Sequence, residues 1–568
     1  MPMDYRQRIP RHVMVEVYRV YRMVFIMKHR ENVDMLKKLA LVLTLALALV
    51  VVPFTASAQT FPDQKDTVQQ SGIQIQNLSG ETANVSVRYV PAVGASGSAV
   101  TQNVTVAPNA SLTLLSFAEP LFAAPAGFRG SVVLESDQPI LALTNLTNSS
   151  FSIAEGYPGF RQGATSVRVP LVVRNNVVPG GRASTAIAVQ NTGSANTTVT
   201  VTYVGGGVFG NPGTIAPDTQ ELAPGQSVVF SQADKTDLAD PAATGEAVGR
   251  FIGSATVTSS GGMPIAVTVQ QEGNGQLGSY AGFTVASPTV ALPLVVAHNT
   301  RNQDFTGLQI QNAGAAPTNI TFRFSNNQVS AVDPSNGTPV TTVCGNNGAM
   351  VERTFSNVAP GQSITLISSG LGDNATPDPS APIDELGFDP QFRNCLYIGS
   401  AVVDGGGQDI VAIVNQARLG ATKQASAYEG FTSAEASLET RTPLVAAGNF
   451  GLLTGVQVQN PGTTAANVTI EYSANTAAAG GGLEPCVAQP VSRNTTIPAG
   501  SSFTFLQFGG NASEGLNTTV GTDGQFTNCR YIGSATVRST GGTIVAVVNQ
   551  VNLSPAADSL TTYNGFNQ

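Results

Sequence analysis

Four cysteines, Cys344, Cys395, Cys486 and Cys529, are the residues whose type and spacing could carry the most chemistry. Thiolates can attack a substrate, ligate a metal ion or oxidise to disulfides. Cys395 and Cys529 each stand two residues before the same Tyr-Ile-Gly-Ser-Ala motif, and Cys344 and Cys486 each precede a Pro/Gly turn. Four cysteines allow three pairings, and these matched positions predict the pairs Cys344–Cys395 and Cys486–Cys529. No Cys-x-x-Cys spacing occurs, which argues against a zinc site.

A catalytic triad built on histidine would have to use His298, because the other two histidines lie in the first 34 residues. His298 ends an apolar run that begins at Pro293, and the matching places in the other repeats described below carry Asn or Gly. This substitution pattern favours a turn residue over a catalytic base. The sequence therefore predicts no catalytic residue, no metal and no cofactor, and we expect a protein that is not an enzyme.

Acidic residues cluster in two loops that are rich in Gly, Pro and Ala. Neither cluster follows the spacing of an EF-hand calcium loop. They are open to two interpretations, solvated loop charge or weak calcium binding, and a carboxylate pair could in principle cleave a glycoside. The clusters comprise Asp234, Asp237, Asp240 and Glu246 in one loop, and Asp373, Asp378, Asp384, Glu385 and Asp389 in the other.

The composition excludes some classes of protein. Only 11% of the 568 residues are charged and the formal net charge is −8, so a nucleic-acid partner, which needs a basic face, is not expected. The chain has 59 Gly and 33 Pro but no Trp, which suits short strands and tight turns and argues against stacking on sugar rings.

The amino terminus has the pattern of an export signal. A basic run at Lys37-Lys38 is followed by the apolar stretch from Leu39 to Val52 and by Ala56-Ser-Ala58, a small-x-small cleavage pattern. The alternative is a transmembrane anchor, but the apolar stretch is shorter than the ~20 residues that span a bilayer. We therefore predict a signal peptide at 35–58 and treat 1–34 as an upstream extension, a candidate for a misassigned start.

The rest of the chain repeats one unit four times. The first block alternates apolar and polar residues and ends in Gln-Asn, and the second is a strand of β-branched residues that ends in an aromatic residue. A Pro/Gly turn follows, and then two apolar arms joined by a Gly-rich turn, which predict a hairpin. Each unit closes with Tyr-x-Gly-Phe, and units two to four open with Pro-Leu-Val. The first blocks are Ile73–Asn77, Ile187–Asn191, Leu308–Asn312 and Val456–Asn460.

Each unit contains about seven short strands and no amphipathic helix. This predicts an all-β protein, a tandem array of four Ig-like antiparallel β-sandwich domains after a signal peptide. A barrel is the alternative, while a propeller blade would be shorter than these units. The predicted domains are 59–162, 163–286, 287–434 and 435–568. Because the joints are short, we expect a semi-stiff string.

The first half of each unit resembles the bacterial cell-adhesion-related repeats of the CARDB type. The shared pattern is Asn-x-Gly, an Ala-Asn-Val-Thr-Val-x-Tyr strand and a Pro-Gly-x-Ser turn, carried here by Asn191–Gly193, Ala466–Tyr472 and Ala223–Ser227. The second half departs from that family, since Gly-Ser-Ala-x-Val and Ile-x-Ala-x-Val replace its acidic, Asn-rich strand pair. The resemblance implies an extracellular scaffold.

We therefore expect a secreted or cell-surface structural or adhesive protein, without a membrane span once the signal is cleaved. The expected partners are other surface proteins, envelope polysaccharide or further copies of the chain. A glycan-binding module array is the main alternative, and a secreted hydrolase is a third.

Overall fold

The structure of the chain, a computed structural model, describes residues 69–567 with internal gaps. The gaps are at 109–110, 117–122, 125–126, 149–153, 179–180, 207–213, 274–275, 299–303, 327–343, 345–349, 369–377, 385, 394, 396, 419–424, 450–451, 475–482, 487–490, 508–522 and 553–559. The predicted upstream extension (1–34) and signal peptide (35–58) lie outside the described residues.

The described chain is all-β, and its helical elements are three-residue 3-10 turns at Thr236–Leu238, Gly245–Ala247, Pro390–Phe392, Ser433–Glu435 and Gly524–Phe526. Repeat 1 contains β1 (Gln69–Asn77), β2 (Ala83–Pro91), β3 (Val100–Val106), β4 (Ser111–Leu115), β5 (Gly130–Ser136), β6 (Ile140–Asn148) and β7 (Ala154–Pro158). Repeat 2 contains β8 (Ser166–Arg174), β9 (Asn176–Val178), β10 (Gly181–Asn191), β11 (Thr197–Gly205), β12 (Asp218–Leu222), β13 (Ser227–Ser231), β14 (Phe251–Ser259), β15 (Ile265–Gly273) and β16 (Gln276–Ala281).

Repeat 3 contains β17 (Thr289–Ala297), β18 (Asp304–Asn312), β19 (Thr318–Asn326), β20 (Arg353–Val358), β21 (Ser363–Ile367), β22 (Tyr397–Asp404), β23 (Ile410–Arg418), β24 (Ala425–Glu429) and β25 (Phe431–Thr432). Repeat 4 contains β26 (Glu439–Asn449), β27 (Leu452–Gln459), β28 (Ala466–Ala474), β29 (Arg493–Ile497), β30 (Ser502–Gln507), β31 (Tyr531–Thr540), β32 (Val545–Asn552), β33 (Leu560–Asn564) and β34 (Phe566–Asn567).

Each repeat is an antiparallel β-sandwich, as predicted. In repeat 2 one sheet has the order β13-β10-β15-β16 and the other the order β12-β11-β14-β8. Repeat 1 has the corresponding sheets β4-β1-β6-β7 and β3-β2-β5. In repeats 3 and 4 the opening strand also pairs with the strand after it, which joins the two sheets into one of nine strands.

The predicted hairpin is wrong. Its two arms in repeat 2 are β14 and β15, and they belong to opposite sheets, β14 between β11 and β8 and β15 between β10 and β16. The opening strand β8 occupies the edge of β14 that a hairpin partner would need, so the chain crosses to the other sheet. The Gly-rich turn is therefore an arch over the end of the sandwich. The other three repeats have the same crossover.

Alternation decides which side chains form the core. On β11 the apolar residues Val199, Val201 and Tyr203 are buried between the sheets, while Thr198 and Thr202 are exposed to solvent. One face of such a strand is buried and the other solvated because successive side chains point to opposite faces. Buried Tyr and Phe side chains belong to these cores in repeats 3 and 4.

The closing tyrosine of repeats 2 to 4 fastens the opening strand. Tyr280 donates its hydroxyl to the carbonyl oxygen of Leu171 at 2.7 Å and accepts from the amide of the same residue at 3.3 Å. Tyr428 does the same with Leu294, and Tyr563 with Leu444. The first and last segments of each of these repeats are thereby tied together.

The four repeats contact one another more closely than a string of independent units would. The closing strand β16 contacts β7 and β24, and β33 contacts both β24 and β7. Repeat 4 therefore contacts repeat 1 as well as its neighbour in sequence, which an in-line semi-stiff string of repeats would not allow. The joints between closing and opening strands are too short to hold the repeats apart.

Candidate functional site: faces between the repeats

Both predicted disulfides are formed. Cys344 and Cys395 join with a Cα–Cα distance of 5.1 Å, and Cys486 and Cys529 join with a Cα–Cα distance of 4.8 Å. Each bond ties the loop before the fourth strand of its repeat to the short segment between a 3-10 turn and the strand that precedes the arch. The sulfurs are therefore structural and are not available as nucleophiles.

An ion pair on a buried aspartate lies beside each disulfide, with its arginine largely buried in repeat 3 and exposed in repeat 4. The carboxylate of Asp389 is fully buried and accepts from Arg353 Nη2 at 2.6 Å and from Gln391 Nε2 at 2.6 Å. In repeat 4, Asp523 accepts in the same way from Arg493 and Gln525. The interpretation of Asp389 as solvated loop charge is wrong, because Arg353 supplies the compensating charge inside the protein. The repeated spacing Asp-x-Gln-x-x-x-Cys was the available signal.

Several of the remaining acidic residues bond locally in the described loops, and Asp234 is exposed. Asp237 and Asp218 hold Lys235, whose ammonium lies 5.2 Å from the centre of the Tyr203 ring. Asp378 and Asp384 accept hydrogen bonds from backbone amides two residues on, as turn residues do.

Asp240 makes the same kind of bond to the amide of Ala242. Asp373 and Glu385 lie outside the described residues. In the part of the chain that the structure describes, no three His, Cys, Asp or Glu side chains are grouped so that they could hold a metal ion.

His298 lies at the end of β17 with a left-handed backbone, φ 51°. Asn175 (φ 50°) and Gly448 (φ 59°) have the same conformation at the matching places. Asn and Gly tolerate this region best, so the sequence variation that set His298 apart reflects a turn. Burial lowers the pKa of its imidazole.

The asparagine that ends each first block is a buried clamp. Asn460 donates to the carbonyl oxygens of Thr464 at 2.7 Å and Ile497 at 3.0 Å, and its Oδ1 accepts from the amide of Gly462 at 3.0 Å. The sequence pattern placed this Asn only at the end of the first block. Its side chain in fact joins the turn that follows to the end of the fourth strand. Asn77, Asn191 and Asn312 make the equivalent bonds, and all four are 0% exposed.

The glutamine before this asparagine acts between repeats. Gln311 of repeat 3 donates to the carbonyl oxygen of Ala255 in repeat 2 at 3.2 Å and to that of Gly361 in its own Pro-Gly turn at 3.0 Å. Gln459 of repeat 4 does the same with Ala401 of repeat 3 at 3.1 Å and with Gly500 at 3.4 Å. The Asn of the pair therefore bonds within its own repeat, and the Gln of repeats 3 and 4 also bonds to the preceding repeat.

A serine of the preceding repeat also bonds to the Pro-Gly turn that accepts from this glutamine. Ser254 of repeat 2 donates its hydroxyl to the carbonyl oxygen of Gly361 in repeat 3, and Ser400 of repeat 3 donates to Gly500 of repeat 4 at 3.1 Å. Ser131 of repeat 1 donates to Gly225 of repeat 2. The strand that precedes the arch in one repeat (β5, β14 or β22), here called the arch strand, thus contacts the Pro-Gly turn of the next repeat. We call this contact the seam. It explains why Gly-Ser-Ala and Pro-Gly recur together.

In repeat 4 the serine that matches the seam donors is Ser534, and it is half-buried, whereas Ser254 and Ser400 are 0% exposed. The matching turn residue of repeat 1, Asn109, lies outside the described residues. The seam is thus formed three times among the described residues.

A second set of contacts joins the sheets that carry the closing strands. Asn415 of repeat 3 donates to Gln271 of repeat 2 at 3.3 Å, and Gln416 donates to Asn549 of repeat 4 at 3.0 Å. Glu429 accepts from the amide of Ala281 in repeat 2 at 2.9 Å. Burial raises the pKa of the Glu429 carboxyl group. These faces combine hydrogen bonds with apolar contacts, since Ile413 and Ala427 of repeat 3 pack into the core cluster of repeat 2 and Val547 of repeat 4 packs into that of repeat 3.

No helix among the described residues has the length and apolar character needed to cross a bilayer. Comparison with known proteins adds no assignment, since no protein-family profile, curated protein or solved structure matches the chain.

Proposed function

We propose that the chain is a secreted or cell-surface scaffold whose four sandwiches form a structural or adhesive unit outside the cytoplasm. The observation that carries the proposal is the seam. The same Ser and Gly positions join repeat 1 to 2, 2 to 3 and 3 to 4, and the Gln position adds a bond across the second and third of these contacts. Residues that recur in every copy are thus used to hold copies together, as a load-bearing or spacing role requires.

The two disulfides support an oxidising location, since such bonds persist mainly outside the cytoplasm. The low content of charged residues and the signal-like amino terminus point the same way. The proposed partners are surface proteins, envelope polysaccharide or further copies, which would meet the exposed sheet faces and end loops.

Fractionation of cells that express the full chain tests the proposal. We expect peptides from residue 59 onward in the medium or the washed envelope, with all four cysteines resistant to alkylation until a reductant is added. Recovery in the cytoplasm with free thiols would refute export. Saturable binding to one sugar in a glycan panel would replace the scaffold proposal with the glycan-binding alternative.

A further inference from the structure

Two arginines lie where the opening strand of repeat 2 bends into the next strand. β8 ends at Arg174, the chain bends at Asn175 with a φ of 50°, and β9 then pairs with the start of β10. In this pairing Arg182 lies opposite Val177. Arg174 and Arg182 thus flank the same bend.

Arg174 is half-buried and uses only part of its guanidinium group. Its Nη1 donates to the carbonyl oxygen of Gly249. Its Nε is buried without an acceptor, and its Nη2 makes no hydrogen bond among the described residues. Burial lowers the pKa of Arg174 because the charged form loses hydration, and the negative charge of Asp234 acts in the opposite direction.

Arg182 is also half-buried and has spare donors. Its Nη1 donates to the carbonyl oxygen of Asn175 at 2.9 Å, and its Nε and Nη2 make no hydrogen bond to the described part of the chain. Arg250 holds the same bend, since its Nη2 donates to Asn176 Oδ1 at 2.7 Å. Neutral acceptors therefore fix the guanidinium groups of Arg174 and Arg182 without neutralising their charge.

Neither Arg174 nor Arg182 forms an ion pair with a described carboxylate. Asp234 lies near enough to act on the charge of Arg174, but its side chain is exposed. Arg353 shows the usual solution for a buried arginine, because it is paired with Asp389 at 2.6 Å. Partly buried positive charge without a partner costs free energy, and a bound anion removes that cost.

The two arginines are specific to repeat 2 when it is compared with repeats 3 and 4. Uncharged residues stand at both places in those repeats. They are Ala297 and Ala447 for Arg174, by strand register, and Gln303 and Gly451 for Arg182, three residues before the threonine that bonds to the opening strand. The packing that these repeats share therefore does not require the two arginines, and a ligand-binding role accounts for them.

We propose that Arg174 and Arg182 form a site for an acid group, a carboxylate or a sulfate, of a polysaccharide. Guanidinium groups bind such oxyanions through paired, charge-assisted hydrogen bonds. Arg182 offers Nε and Nη2 side by side, which is the edge that forms a bidentate pair, and Arg174 adds its Nη2.

The composition of the chain favours a polysaccharide over other polyanions. The chain has no Trp, so it offers no indole ring for stacking on a sugar, and charge and hydrogen bonds have to do the recognition. Its formal net charge of −8 repels a dense polyanion over most of its surface. An acid group set among neutral parts of a sugar meets both conditions.

This inference deepens the proposed function, because it names envelope polysaccharide as the partner. Fractionation tests export and binding of the purified chain tests the site, so the two proposals fail separately. An exported chain that binds no acidic sugar would overturn the site alone, and a cytoplasmic chain that binds one would overturn export alone.

Binding of labelled oligosaccharides to the purified full-length chain tests the site. The probes are oligogalacturonate, which carries carboxylates, a sulfated dextran of the same length and unmodified dextran. We expect saturable binding of an acidic probe, with the tighter one identifying the acid group, and loss of binding as NaCl rises from about 0.1 M to 1 M, since the Debye length falls from about 10 Å to about 3 Å. No binding of either acidic probe, equal binding of unmodified dextran, or tighter binding of poly-glutamate would overturn the proposal.

Substitutions locate the binding. Arg174→Gln and Arg182→Gln should each weaken it about tenfold or more, because each removes a charged hydrogen-bond donor. Arg161→Gln is the matched control, since it removes the same charge at an exposed position, and it should leave binding within about twofold. Equal effects of the three substitutions would show attraction by overall charge and would overturn the site.

A gain of binding covers the case in which the arginine variants fail to fold. Asp234→Asn removes an exposed negative charge near Arg174 and should tighten binding severalfold at low salt. Glu135→Gln removes an equal, exposed charge from repeat 1 and should leave binding unchanged. Unchanged or weaker binding by Asp234→Asn would overturn the proposal.

Discussion

Replacing Asn460 with Ala should weaken repeat 4 strongly, although the substitution removes only a small polar side chain. Its amide makes two donated bonds and one accepted bond, and the side chain is 0% exposed. Each bond contributes about 1 kcal/mol net, and a buried backbone group left without a partner costs about 1–3 kcal/mol. The sum for this clamp is about 2–4 kcal/mol.

Hydrogen exchange under native conditions measures this loss within one repeat, which whole-chain unfolding of four domains would not resolve. A loss of about 2–4 kcal/mol corresponds to roughly 30-fold to 1,000-fold faster exchange in β27 and β28. Asn312→Ala should produce the same change in β18 and β19 of repeat 3. Together the two variants test whether each clamp acts on its own sandwich.

The matched control is Asn467→Ala, at an exposed position of the same repeat where the side chain accepts only from Thr496. A surface change of this kind should cost within about 0.5 kcal/mol. The reasoning fails if Asn460→Ala leaves exchange in β27 and β28 within about twofold of the parent chain, or if both substitutions have the same effect.

Three further predictions concern the remaining contacts. Changing Cys486 and Cys529 together to Ser should destabilise repeat 4 by about 4 kcal/mol at most on the chain-entropy account, seen as faster native-state hydrogen exchange in β28 and β31, and exchange unchanged from the parent chain would contradict it. Gly225→Ala should loosen the seam between repeats 1 and 2, because its Cβ would lie 3.2 Å from Val90 Cγ2 of repeat 1 at a φ of +78°, whereas Gly261→Ala has the same kind of φ but open space, so limited proteolysis should separate the two. Burial raises the pKa of the Glu429 carboxyl group in the folded chain, so this group favours folding most below its unfolded pKa and loses that contribution as pH rises through the folded value. Glu429→Gln keeps an acceptor for the amide of Ala281 and should flatten this fall of stability with pH. Equal pH profiles of melting for the two chains would refute the prediction.

Much of the local structure was readable because the repeat presents each pattern four times. Alternation on Thr197–Gly205 predicted a half-buried strand, and its burial pattern follows that alternation. Matched cysteine positions led to the correct pairs among three possibilities. The Gly-rich turn between the arms was misread, because a hairpin and an arch use the same turn residues and differ only in where the next strand pairs.

The sequence alone determined the all-β class, the four copies, the strand faces and the disulfide partners, since these depend on period, spacing and residue type. Only the tertiary structure decided that Asn460 is a buried clamp, that Asp389 is buried against Arg353, and that Gln311 and Ser254 join neighbouring repeats. Tertiary structure also brought β33 against β7. The physical reason is that a polar side chain has the same local propensity whether it faces water, its own backbone or another domain. Its partner is chosen by residues that are distant in sequence and come together only when the sheets pack.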